Sequence, residues 1–87
     1  HGRALSIPAV AAAVPAIVSA WFPGQAGGLA IAQALVGAFN PAGRLPMTFP
    51  NAVGQLPAFY NFLPSARRGY VRESSAPTWA FGHGLSY

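Results

Sequence analysis

The sequence predicts an incomplete α/β unit, the back half of such a domain rather than a whole one. Three stretches carry this reading. "AIVSAWF" at 16–22 is an apolar, β-rich run without alternation, the pattern of a strand covered on both faces. "LAIAQALVG" at 29–37 has apolar residues at 29, 31, 32, 35 and 36, which is helical spacing. "GRLPMTFP" at 43–50 holds a short extended segment between two prolines. Strand, helix and strand in that order belong to the α/β class, but the strands are too few to close a sheet.

Taken in order, residues 1–7 form a lead-in. Ile7 to Val14 suits one or two helical turns, with Pro8 in the first turn, where its missing N–H costs nothing. Pro15 ends that helix. The strand at 16–22 runs into the turn cluster "PGQAGG" at 23–28. A helix is expected at 28–36, packed on that strand, with Gln33 outside and Gly37 as C-terminal cap. Residues 38–50 return along the surface to Met47-Thr48-Phe49, and a Pro-bounded strand belongs at a sheet edge. Arg44, alone in a Gly/Pro-bounded turn, is expected to donate to a carboxylate or to backbone carbonyls and so fix the loop after Asn40. After Asn51 the chain is loop-like, rich in aromatics, proline and arginine, and without a period. This divides it into a strand-helix-strand part, 1–50, and a loop-rich part, 51–87. No internal repeat is present.

Composition bears on how such a unit survives in water. Charged residues make up 7% of the chain and hydrophobic ones 53%, against about 25% charged in an ordinary domain. Arg3, Arg44, Arg67, Arg68 and Arg72 face one acid, Glu73, for a net charge of +4. Two readings follow: a membrane or signal segment with a tail, or a piece of a larger protein whose other parts cover its faces. No charge lies between Arg3 and Arg44, and "ALSIPAVAAAVPAIVSAWF" at 4–22 approaches the length of a membrane helix. "VSA" at 18–20 resembles a signal-peptidase site. Pro8 and Pro15 interrupt that run, however, and alanine dominates it. His1 in place of Met predicts a processed or excised chain. The larger-protein reading is preferred, with no membrane partner.

The candidate motifs are few. "PGQAGG" before a helix invites a phosphate-loop reading, but it lacks the established glycine spacing, and the chain has no lysine. A tight turn is the better account. A Ser-His-Asp triad is impossible without aspartate. A Ser-His-Glu set would need Glu73, His83 or His1 and one of several serines, with no G-x-S-x-G elbow. His1, His83 and Glu73 have no metal-ligand spacing, and cysteine is absent, so no metal site is expected. His83, between two glycines, is expected to make a backbone or side-chain hydrogen bond. "SARRGYVR" at 65–72 interleaves Arg with Tyr, but a single basic cluster does not make a nucleic-acid face. Packing or pairing with acidic parts of a larger protein is favoured, and no nucleic-acid partner is expected.

The block "AIVSAWFPGQAGGLAIAQALVGAFNPAGRLPMTFP", 16–50, resembles the C-terminal α/β-sandwich domain of glycoside hydrolase family 3. "GQLPAFYN" at 54–61 and "FGHGLSY" at 81–87 are similar to later segments of that family. "HGRALSI" is similar to its N-G-R-P-L, with His1 in place of Asn and Ala4 in place of Pro. The resemblance covers essentially the whole chain. It implies the C-terminal portion of a three-layer, flavodoxin-like α/β sandwich with long surface loops. It also implies that the 43–50 ribbon packs on neighbouring parts of the enzyme.

The parent enzyme would be a retaining, exo-acting β-glucosidase or β-xylosidase, periplasmic or secreted, without a cofactor. Its partners would be an oligosaccharide or aryl glycoside and the remaining domains of the same enzyme. Retaining glycosidases use two carboxyl groups. In the family these are an Asp in the barrel domain and a Glu upstream of the matched block, so no catalytic residue is expected here. Glu73 matches neither position and is expected to pair with Arg72 or Arg68. Arg67 and Arg68 are the candidate substrate-binding residues. The competing reading is a carbohydrate-binding or scaffold module using Trp21, Tyr60, Tyr70 and Trp79, which are otherwise expected as core or interface residues.

Overall fold

The computed structural model describes residues 1–63 and 74–87. Helix α1 spans Pro8–Ala13 and α2 spans Gly27–Leu35, and a 3-10 turn follows at Val53–Gln55. Pro8 occupies the first turn of α1, as its locked φ favours, and the chain leaves the helix at Val14 in β conformation. Pro15 follows at once and prevents another turn.

The stop of α2 is equally local. Gly37 has φ +75°, the left-handed region open to glycine. Its N–H donates to the Ala34 carbonyl (3.2 Å), and the Ala38 N–H donates to the Gln33 carbonyl (2.8 Å). This pair of bonds is the Schellman motif, which satisfies carbonyls the helix leaves open. Replacing Gly37 with alanine forces a Cβ into that conformation and is expected to cost about 1–2 kcal/mol. Helical circular dichroism and the denaturation midpoint should both fall.

The 43–50 ribbon finds its partner within the chain. Leu45 N–H donates to the His83 carbonyl and Gly82 N–H to the Leu45 carbonyl, both at 2.8 Å. Further along, Phe49 N–H donates to the Trp79 carbonyl (2.8 Å), and the Phe49 carbonyl accepts from Thr78 (2.9 Å) and Trp79 (3.3 Å). Phe49 and Trp79 thus form an antiparallel bridge. The ribbon was expected to lie on neighbouring parts of an enzyme; residues 78–83 of this chain occupy that role. It remains a bridge rather than a strand because Pro46 and Pro50 lack the donors a ladder needs.

The run 16–22 departs from expectation. It is not a buried strand: no backbone group in it makes a hydrogen bond among the described residues, and Val18 and Phe22 are 53% and 84% exposed. A strand exists only through a neighbour that completes its ladder, and no described segment of this chain supplies one. The expected α/β pattern is therefore reduced to two helices, one 3-10 turn and one bridge among the described residues.

The core is correspondingly small. Only Gly27, Ala34, Phe49 and Pro50 are buried among the described residues. The accessible surface is 6683 Å², whereas a folded monomer of this mass exposes about 4,900 Å². No helix among the described residues is long and apolar enough to cross a membrane, in keeping with the breaks at Pro8 and Pro15.

Candidate functional site

Phe49, 2% exposed, is the centre around which the described residues organise. Three rings meet it edge to face: Trp79 at 5.6 Å, Trp21 at 5.8 Å and His1 at 6.0 Å between centroids. This is the geometry that aromatic quadrupoles favour. His83 stacks on Trp79 in turn, at 6.3 Å between centroids. The two tryptophans are half-buried, flanking Phe49 rather than forming the core themselves. Tyr60 instead stacks on Phe81 at 4.2 Å, with both rings largely exposed. His83 also donates its backbone N–H to the Ala80 carbonyl (3.0 Å), closing a turn with Gly82 at φ +79°.

Trp21 has φ +52°, a left-handed backbone at a bulky residue. Packing pays that cost: the indole edge is held between His1 (5.3 Å) and Phe49. His1 is itself fixed at both nitrogens. Nδ1 lies 2.8 Å from the Arg3 carbonyl, which only accepts, so Nδ1 donates. In the neutral ring Nε2 then accepts from the Ser19 hydroxyl, 3.1 Å away. A serine on an oriented imidazole is the beginning of a nucleophile–base pair. Here the orienting group is a carbonyl rather than a carboxylate, and no acidic side chain lies among the described residues. The pair acts as a tie between the start of the chain and the 16–22 run.

Other ties carry the loops. Gln55 Oε1 accepts from the backbone N–H of Asn51 (2.6 Å) and Ala52 (3.4 Å), while its Nε2 donates to the carbonyls of Ser74 (2.5 Å) and Ala76 (3.1 Å). Ser6 donates to the Asn51 carbonyl at 2.8 Å. At the other end, the Tyr87 hydroxyl donates to the Ala34 carbonyl (2.9 Å) and its N–H to Asn40 Oδ1 (3.1 Å). Tyr87 thereby clasps the end of α2.

Arg44 Nη1 donates to the carbonyls of Ala42 (3.1 Å) and Gly43 (3.2 Å), the backbone acceptors expected for it. Its stem crosses Gly84. A Cβ at position 84 would sit 2.6 Å from both Arg44 Cδ and the Gly43 carbonyl oxygen. Gly84→Ala must therefore part the ribbon from its partner, at a cost of about 1–3 kcal/mol. Faster amide exchange at Leu45 and Gly82 would report the parting.

An open apolar groove of about 610 Å³ runs beside the ribbon, between Arg3, Met47, Leu56, Pro57 and Phe59. Arg3 is its one charged side chain among the described residues. At the N-terminus of α2, the Gly24 carbonyl accepts from Gly27, and Gly27 has the Pro23 ring where a Cβ would be. "PGQAGG" is a tight turn. Among the described residues no cluster could hold a metal ion. Arg67, Arg68, Tyr70, Arg72 and Glu73 lie outside the described residues, and with them the candidate substrate contacts and the expected Glu73 ion pair. The Gln55 clamp, the His1–Ser19 tie and the Tyr87 clasp carried no spacing signal; each joins residues 18 or more apart in sequence.

The sequence model of the glycosyl hydrolase family 3 C-terminal domain matches residues 1–87, the entire chain. The chain belongs to glycosyl hydrolase family 3. Among its relatives is the periplasmic β-glucosidase of Salmonella typhimurium, 39% identical over 98 residues, covering 100% of this chain and 13% of that protein. A β-xylosidase of Formosa agariphila is 40% identical over 91 residues, covering 100% and 13%. The xylan 1,4-β-xylosidase of Xylanibacter ruminicola is 38% identical over 86 residues, covering 99% and 10%. The family 3 chain thus spans 13% of the length of the first two. Family membership gives the aromatic centre its place: it lies within a C-terminal-domain segment, and the chain has one acidic side chain where glycoside hydrolysis uses a pair.

Proposed function

We propose that this chain is the C-terminal portion of the α/β-sandwich domain of a retaining, exo-acting β-glycosidase that releases β-linked glucose or xylose. Relatives matching the entire chain and named β-glucosidase and β-xylosidase carry the reading. The nucleophilic Asp and the acid/base Glu lie in other parts of the polypeptide. Residues 1–50 supply the strand-helix-strand part of the sandwich and residues 51–87 its loops. Arg67 and Arg68 contact substrate. The enzyme works in the periplasm or outside the cell, without a cofactor, and binds neither nucleic acid nor membrane.

The test is hydrolysis by the full-length parent polypeptide of aryl β-glucoside and aryl β-xyloside, followed by NMR. The β-anomer should appear first and then mutarotate. Initial α-anomer would overturn retention, and hydrolysis of neither substrate would overturn the reading. The exposed Tyr60–Phe81 stack favours one alternative, a non-catalytic sugar platform. Perturbation of these two rings by xylose or glucose oligomers in NMR titration of the isolated chain would select it.

A further inference from the structure

Three segments build the groove beside the ribbon. The lead-in contributes Arg3, the ribbon Met47 and Thr48, and the stretch after the 3-10 turn Leu56, Pro57 and Phe59. These segments are tied to one another. The Ser6 hydroxyl joins the lead-in to the Asn51 carbonyl (2.8 Å), and Gln55 Oε1 joins the 3-10 turn to the Asn51 N–H (2.6 Å). The Phe49–Trp79 bridge fixes the ribbon itself. The groove is therefore formed before anything enters it, which lowers the ordering cost of binding. Its volume of about 610 Å³ falls within the roughly 300–1,000 Å³ of small-molecule sites. Its lining also has their character, apolar with a few polar groups. Two of those groups have no partner. The Arg3 guanidinium and the Thr48 hydroxyl make no hydrogen bond among the described residues. Arg44, by contrast, donates to two carbonyls. No acidic side chain among the described residues balances the charge of Arg3.

We propose that this groove is a binding site for a small aromatic carboxylate. The Arg3 guanidinium donates to the carboxylate, the Thr48 hydroxyl is the second donor, and the ring lies against Met47, Leu56, Pro57 and Phe59. The lining selects that ligand. A guanidinium presents parallel N–H donors that match the two oxygens of a carboxylate. Arg3 is the one charge in the lining among the described residues, so a single negative charge balances it. A phosphate monoester would bring about −1.5 to −2. Phe59 offers a ring for edge-to-face contact and Met47 a thioether, which also favours aromatic neighbours. A sugar would leave most of its hydroxyls unmatched on such a surface, and each unmatched polar group costs affinity. The site goes beyond the glycosidase reading and does not depend on it.

The test titrates cinnamate into the full-length parent polypeptide labelled at its methionine ε-methyl groups. Met47 is the one methionine of residues 1–87, and its signal is identified by its loss in Met47→Leu. Cinnamamide, the neutral isostere, is the comparison. Binding is read, not hydrolysis, so the outcome is separate from the anomer assay above. Cinnamate should shift the Met47 methyl signal saturably and bind at least tenfold more tightly than cinnamamide. Arg3→Gln should weaken cinnamate at least tenfold and leave cinnamamide unchanged, whereas Phe59→Ala should weaken both. The acid-against-amide comparison needs no variant and stands whether or not either variant folds. An unmoved Met47 signal overturns the proposal, since the groove is then filled or closed by the rest of the polypeptide. Equal affinity for acid and amide, or full cinnamate affinity in Arg3→Gln, overturns it as well.

Discussion

Highly purified 87-residue chain is expected to release no nitrophenol from aryl β-glucosides or β-xylosides. Double displacement needs a nucleophilic carboxylate and a protonated carboxyl group about 5 Å apart. The chain has one acidic side chain, Glu73, and the imidazole best placed for proton transfer, His1, is bound to a carbonyl and a serine. Without the second carboxyl group, the developing charge has no partner, and the loss amounts to several powers of ten in rate. Turnover that follows the protein through purification and vanishes in Glu73→Gln would overturn this expectation.

Phe49→Ala should abolish cooperative folding. Phe49 is the one large side chain among the described residues that is fully buried, and four-residue aromatic packing (with His1, Trp21 and Trp79) converges on it. Truncating a buried phenylalanine costs about 3–5 kcal/mol, and a core this small supplies no more than about that in total. The near-UV signal of Trp21 and Trp79 should collapse and the NMR spectrum lose its dispersion. Phe22→Ala, at a ring 84% exposed, should change stability by under about 0.5 kcal/mol. Equal effects from the two substitutions would show that the aromatic centre does not hold the chain together.

What the sequence disclosed was governed by distance along the chain. Pro8, Pro15 and Gly37 bound helices through interactions within a turn or two, and both helices lie where those residues place them. The Arg44 carbonyl bonds are equally local. The run 16–22, read as a buried strand, is neither paired nor buried, because both depend on a neighbour that residue spacing cannot supply. The partner of 43–50 was sought outside the chain, whereas it lies about 30 positions downstream. The aromatic centre escaped for the same reason. Trp21, Phe49 and Trp79 are far apart in sequence, and nothing in their periodicity ranks them above Phe22 or Phe59. The candidate substrate contacts rested on family resemblance alone, and a cluster of arginines does not by itself say which anion or sugar it meets.

The Phe49–Trp79 bridge also sets where this chain can change length. It pins both ends of the intervening segment, and the Gln55 clamp fastens that segment again from within. Extra residues placed between Leu63 and Ser74 leave the bridge, the clamp, the Tyr87 clasp and the Tyr60–Phe81 stack in register, because all four anchor outside that interval. Loop-closure entropy rises only logarithmically, so doubling the interval costs about 0.6 kcal/mol. An insertion between Leu45 and Phe49 shifts the pairing by a residue and turns Phe49 out of its pocket. Natural length variation, and any fused peptide tag or reporter, is therefore tolerated in the first interval and excluded from the second.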